Sequence, residues 1–225
     1  MNIVFVKSAI FILVFLIFSN WFQLFSFLKL VIGPKIKTET LNDNWIKSLI
    51  KKKTGLTLPN ITLFKDKKMY GMMVGLPFWP KMVLSESLYK NFNKDELEWV
   101  VLHEAGHCVL WHNLKAFFIE IVILSLGICT IWITKMNLFL VLLFALLASF
   151  VCVQIIRWII EYMADKYSID KIDNPQGVIT AQDKFRKNYD KNPFQDEKSI
   201  LRFLLHWNIY PSKRIEMAKR KLKSR

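Results

Sequence analysis

The sequence predicts an α+β domain tied to a membrane by three apolar helices. Three observations carry this: short β-rich segments between residues 60 and 84, helical hydrophobic periodicity on both sides of them, and three long apolar runs. The hydrophobic share of 53% exceeds that of ordinary soluble chains, and it is bunched rather than spread. A chain of 225 residues has room for one compact domain plus such spans, not for two large domains.

The first run, residues 8–28, "SAIFILVFLIFSNWFQLFSFL", is uncharged and about long enough to cross a bilayer. A lysine precedes it, but no small-x-small cleavage site follows and the aromatic-rich stretch exceeds a signal-peptide core, so it reads as a retained anchor. Gly33-Pro34 closes it. Leu41, Trp45 and Leu49 recur every four residues and predict a short amphipathic helix ending at Lys51-Lys52-Lys53 and Gly55. Residues 60–64, 69–75 and 81–84 are rich in β-formers and broken by Lys65, Lys67, Lys68, Pro77 and Pro80, a pattern that predicts a small β-meander. A helical turn or two follows at 85–92. Asn93 with Glu96 three residues on resembles a capping box and opens a helix expected to run to about Asn113. The second and third apolar runs, 116–134 and 137–160, are separated only by Lys135 and Met136 and so form a hairpin. Glu120 and Arg157 lie where both charges can reach one interface. Beyond the hairpin, helices are expected as a continuation over 161–167 and near 177–188, 196–207 and 211–222. The expected organisation is thus an anchor (1–33), a catalytic part (34–115), a transmembrane hairpin (116–160) and a second, helical catalytic part (161–225).

The net charge of +14 invites a nucleic-acid reading, which the pattern excludes. Lysines and arginines fall almost wholly in 34–115 and 161–225, interleaved with acids, and no aromatic-basic recognition module stands out. Only Lys7 and Lys135 lie near the opposite ends of the spans. This asymmetry predicts a multi-pass cell-membrane protein with both polar parts in the cytoplasm and the lipid bilayer as partner. Cys108, Cys129 and Cys152 sit in apolar stretches and read as buried small hydrophobes, not a disulfide framework.

Three of the four histidines gather in residues 100–113, "VVLHEAGHCVLWHN". His103 and His107 are four apart, so on a helix they project from one face and can hold one zinc ion. Glu104 stands beside them, where it can take a proton from water at the metal. Apolar neighbours such as Val101, Leu102 and Val109 would bury these polar groups at a cost unless a metal satisfied them. A peptidase zinc needs a third protein ligand. Leu110 and Asn113 occupy the glycine and histidine positions of the metzincin extension, so that class fails. His112 is one residue off and rotated on the expected helix, and reads as an interfacial polar residue. Glu161 of "EYMAD" returns to the same membrane face after the hairpin and supplies the third ligand. Asp165, one turn on, can accept a hydrogen bond from the far nitrogen of a ligand histidine. The polar lead-in "NKDELEW" starts the histidine helix in water, which excludes a site inside a span.

"HEAGH", an apolar hairpin and then "EYMAD" resemble the membrane-bound gluzincin metallopeptidase family (peptidase family forty-eight) that includes HtpX and the CAAX prenyl endopeptidase, over most of residues 60–215. The resemblance implies a zincin-like domain with one zinc per chain on His103, His107 and Glu161, and Glu104 as general base. It also implies an edge strand within "YGMMVGLPFWPKMVLSESL", Gly71, Met72, Met73, Val74 and Gly75, that binds the main chain of a protein or peptide substrate. The expected function is a zinc endopeptidase at the cytoplasmic membrane surface in HtpX-like quality control or processing. The alternatives are a prenyl-protein processing protease, for which three spans are few, and an inactive membrane scaffold. Members commonly carry a His-Pro pair near the C-terminus, then Arg-Ile; here "YPSKRI" puts Tyr210 at the histidine position. Tyr210, His206 and Arg214 are therefore all candidates for the auxiliary transition-state donor.

Overall fold

The computed structural model describes residues 3–19, 38–74, 78–188 and 211–224. In chain order the elements are α1 (Ile3–Ser19), β1 (Thr38–Leu41), α2 (Asn44–Thr54), β2 (Ile61–Phe64), β3 (Gly71–Val74), β4 (Lys81–Ser85), α3 (Glu86–Asn91), α4 (Lys94–Val109), α5 (His112–Thr134), α6 (Leu138–Lys171), α7 (Gln176–Asn188) and α8 (Pro211–Lys223). The chain is α+β and mostly helical. It divides into two compact units, Met1–Lys35 with Leu114–Arg157, and Ile36–Asn113 with Trp158–Arg225.

The first unit is built from apolar helices. Two helices, α5 and α6, are long and apolar enough to cross a membrane; α1 is apolar and shorter. It begins five residues before the predicted run, whose residues 20–28 lie outside the described residues, as does Gly33-Pro34. Phe11 and Phe15 are fully buried, and Phe11 stacks on Phe144 at 5.9 Å. Gly127 makes that possible, because a Cβ there would lie 2.1 Å from the Phe11 ring. The turn at residues 135–137 is as tight as expected, with Lys135 at φ 50° and Asn137 Oδ1 accepting from Leu140 N at 2.9 Å. Lys7 Nζ donates to Met136 O at 2.5 Å, so the two isolated basic residues share one end of these helices.

The second unit carries the sheet. Its strand order is β1-β2-β4-β3, with β1/β2 and β3/β4 antiparallel but β2/β4 parallel, which corrects the predicted meander. Burial explains the order. β4 is buried from Met82 to Ser85 and takes the centre, whereas β3 alternates between half-buried and exposed and takes an edge. Leu41 is a second correction. It pairs with Ile61 in β1, and the helix starts only after Asp43, whose carboxylate accepts from Trp45 N and Ile46 N. The core gathers Ile46 and Ile50 of α2, Ile61, Met82 and Leu84 of the sheet, and Val101, Leu102 and Ala105 of α4.

Helix α4 lies at the centre of this unit, against α2, β3 and α7. Its capping box is present: Asn93 Oδ1 accepts from Glu96 N at 2.9 Å and Glu96 Oε2 from Asn93 N at 2.8 Å. The buried Glu96 and Glu98 are paired with Lys184 and Lys53 respectively, so burial leaves neither charge uncompensated. The helix does not reach Asn113 as predicted. It stops at Val109, Trp111 turns left-handed at φ 56°, and α5 restarts at His112. The helix predicted at 196–207 lies outside the described residues.

Candidate active site

His103, Glu104 and His107 lie on α4, and Glu161 and Asp165 on the C-terminal part of α6. One glycine lets these two helices meet. A Cβ at Gly106 would stand 3.1 Å from the Tyr167 ring and 3.5 Å from Ala164 Cα. A larger side chain would push Glu161 and Asp165 away from the histidines. Gly106→Leu is therefore expected to abolish stoichiometric zinc binding, while Gly106→Ala costs about 1–3 kcal/mol as overpacking does. Zinc content and melting temperature of the two variants check it. Normal zinc content in Gly106→Leu would show that the close approach does not assemble the ligand set.

His103 Nε2 and His107 Nε2 are 3.3 Å apart. Glu161 Oε2 is 3.4 Å from the first and Oε1 3.5 Å from the second. Zinc bonds of about 2.0–2.1 Å at tetrahedral angles place ligand atoms roughly 3.3–3.4 Å apart. The three observed spacings match that separation, and two nitrogens with one carboxylate oxygen form a donor set that suits zinc.

Burial opposes charging either ring. At His103 the facing Asp165 and Glu161 outweigh it and hold the imidazole up at about 10. At His107 burial and the charge on His103 bring the ring down to about 3.

Around the three lies a bracing layer. Asp165 is fully buried; Oδ1 stands 2.8 Å from His103 Nδ1 and Oδ2 accepts from Arg214 Nε at 2.6 Å. The Arg214 guanidinium also reaches Glu161 Oε2 at 3.4 Å and lies over the Trp99 ring at 5.6 Å. Its hydrogen bonds thus go to carboxylates that face the histidines. His206 and Tyr210 lie outside the described residues.

Glu104 is half-buried beside this cluster and turns toward β3. The Met73 main chain lies close to its carboxylate, and a Cβ at Gly71 would stand 3.4 Å from Glu104 Cγ. Loss of hydration raises the Glu104 carboxyl most, His103 opposes, and the result is about 7. A carboxyl held there can both take and return a proton near neutral pH. The predicted substrate strand, Gly71 to Val74, is the sheet edge next to Glu104; Gly75 lies outside the described residues.

One residue was misread from sequence. His112 is no interfacial group: it is buried, with its ring against His107. No glycine or proline marks the helix break that brings it there, so periodicity alone pointed it elsewhere.

The signature of peptidase family M48 matches residues 38–195, well over half of the chain and including His103, Glu104, His107, Glu161 and Asp165. No curated protein matches the chain. Among solved structures, the crystal structure of S. mikatae Ste24p is similar in fold, with a TM-score of 0.61 at 16% identity. The likeness covers 97% of this chain and 59% of that one, so the chain spans less than two thirds of its length.

Proposed function

The chain belongs to peptidase family M48, and from that premise we propose that it is a membrane-bound, zinc-dependent endopeptidase. The observation that carries the reading is the convergence of His103 Nε2, His107 Nε2 and the Glu161 carboxylate at zinc-ligand spacing, with Glu104 between that point and an edge strand. His103, His107 and Glu161 would hold one zinc per chain in a zincin-like domain. When bound, zinc supplies Lewis acidity, polarising a carbonyl and acidifying water to about neutral pH.

The chain's own groups do the rest. The edge of β3, Gly71 to Val74, which is outermost among the described residues, takes a peptide as an added strand, so main-chain hydrogen bonds set its register. Glu104, already near neutral pH in its proton affinity, takes a proton from the attacking water and returns it to the departing amine. Asp165 orients His103, and Arg214 braces Asp165 and Glu161. That engagement favours a bracing role for Arg214 and leaves the oxyanion donor to His206 or Tyr210. Processing of unfolded or membrane-associated polypeptides is the preferred substrate class.

Metal analysis with proteolysis of an unfolded protein tests the reading. About one zinc per chain is expected, lost with activity in His103→Ala, His107→Ala or Glu161→Ala. A Glu161→Ala protein that keeps full zinc would defeat the third-ligand assignment. Preferential cleavage of a prenylated peptide over unfolded casein would instead favour prenyl-protein processing.

The orientation follows from charge. Lysines and arginines fall mostly in residues 34–115 and 161–225, while Lys7 and Lys135 lie near the opposite ends of the apolar runs, so the site faces the cytoplasm. With the native cysteines replaced by serine, a cysteine at the exposed Lys135 should be labelled by an impermeant reagent on intact cells, and one at the exposed Lys52 should not. The reverse pattern would invert the topology.

A further inference from the structure

His112 contributes no ligand atom, yet it is 1% exposed and its Nδ1 lies 3.1 Å from His107 Nδ1. This contact needs an explanation, because a regular helix would not make it. Five residues at 3.6 per turn place position 112 about 140° around the helix from position 107. The break after Val109 removes that offset. Leu110 N bonds Gly106 O, Trp111 N bonds back to Cys108 O at 3.1 Å, and Trp111 adopts φ 56°, which swings the next residue back over the His107 ring. A left-handed conformation is unfavourable for a bulky side chain and persists where the surroundings impose it, often at functional sites.

The proton between the two rings can be assigned from the far side of His107. Its Nε2 faces His103 Nε2 at 3.3 Å and Glu161 Oε1 at 3.5 Å, so this nitrogen must offer its lone pair to a metal. A neutral imidazole then carries its proton on Nδ1. The group facing that Nδ1–H is His112 Nδ1, which offers a lone pair to it when His112 carries its own proton on Nε2. Metal-ligating histidines are commonly steadied through their second nitrogen in this way.

We propose that His112 is a positioning residue for the metal site: it accepts the Nδ1–H of His107 and so sets that ligand's tautomer and ring plane. The inference rests on His103, His107 and Glu161 being the zinc ligands. It makes the support of the two histidines unequal in kind. Asp165 steadies His103 with a charge that Arg214 shares, whereas His112 steadies His107 with an uncharged acceptor. It also gives the left-handed turn at Trp111 a purpose, since the turn delivers the acceptor.

The test uses the full chain in detergent, with zinc alone titrated against a chromophoric chelator. His112→Phe and His112→Ala remove the acceptor, one filling the space and the other emptying it. His112→Asn keeps an acceptor oxygen near the Nδ1 position. Whichever of the first two retains the metal-free melting temperature is expected to bind zinc roughly 10–100-fold more weakly. His112→Asn should recover most of that loss. With cobalt in place of zinc, the visible spectrum should change in His112→Phe and return toward the original in His112→Asn, which a purely structural role would not produce. Zinc affinity within twofold of the unsubstituted chain, in a folded His112→Phe or His112→Ala protein, overturns the inference alone. An unsubstituted chain that binds zinc no better than His103→Ala overturns the metal-site reading and this inference with it.

Discussion

Glu104→Gln is expected to lose about 10²–10⁴-fold in peptide hydrolysis while keeping its zinc. The substitution preserves size and polarity and removes only the ability to take a proton. Glu104 is not among the converging ligand atoms; those belong to His103, His107 and Glu161. Its carboxylate turns instead toward the Met73 main chain on the edge strand. Metal content and kcat, measured on the same preparation, check the two halves of the expectation. A Gln variant that loses zinc along with activity would make Glu104 a ligand and not a base.

Asp165→Asn should show the opposite pattern, with zinc affinity weakened by roughly 10–100-fold and activity partly restored by added zinc. Asp165 is fully buried and serves two partners, His103 at 2.8 Å and Arg214 at 2.6 Å. An asparagine keeps the shape but takes a counter-charge from Arg214, which is left with Glu161 at 3.4 Å. Removing one member of a buried ion pair commonly costs about 3–5 kcal/mol, and the remaining Glu161 contact should soften that loss. A lower melting temperature without metal, together with weaker zinc binding, is the expected result. An Asp165→Asn protein with full zinc affinity and no activity, alongside a Glu104→Gln protein that loses its metal, would show that the roles of Glu104 and Asp165 are reversed.

What was legible in the sequence is what a single element encodes within its own length. The four-residue spacing of His103 and His107 puts them on one helix face whatever surrounds the helix. The Asn93–Glu96 capping box is likewise local, and it forms as the spacing implies. Glu161 was reachable because two apolar runs with a minimal turn leave few ways for the chain to return. The parallel pairing of β2 with β4 and the short β1 were not legible. Strand order depends on which segments are most buried once α4 packs against the sheet, and no period of two reveals that.

His112 marks the boundary between the two kinds of information. By itself the sequence determined that a histidine pair spaced to share a metal, a neighbouring carboxylate and a later glutamate exist on helices next to apolar runs. Only the tertiary structure decided that α4 breaks at Trp111, that Gly106 admits α6 to within contact, and that His112 and Asp165 face the far nitrogens of the two histidines. The reason is physical. Helical periodicity follows from backbone geometry within a few residues, whereas a left-handed turn at a tryptophan and a contact between distant helices are held only by the packing of the whole unit.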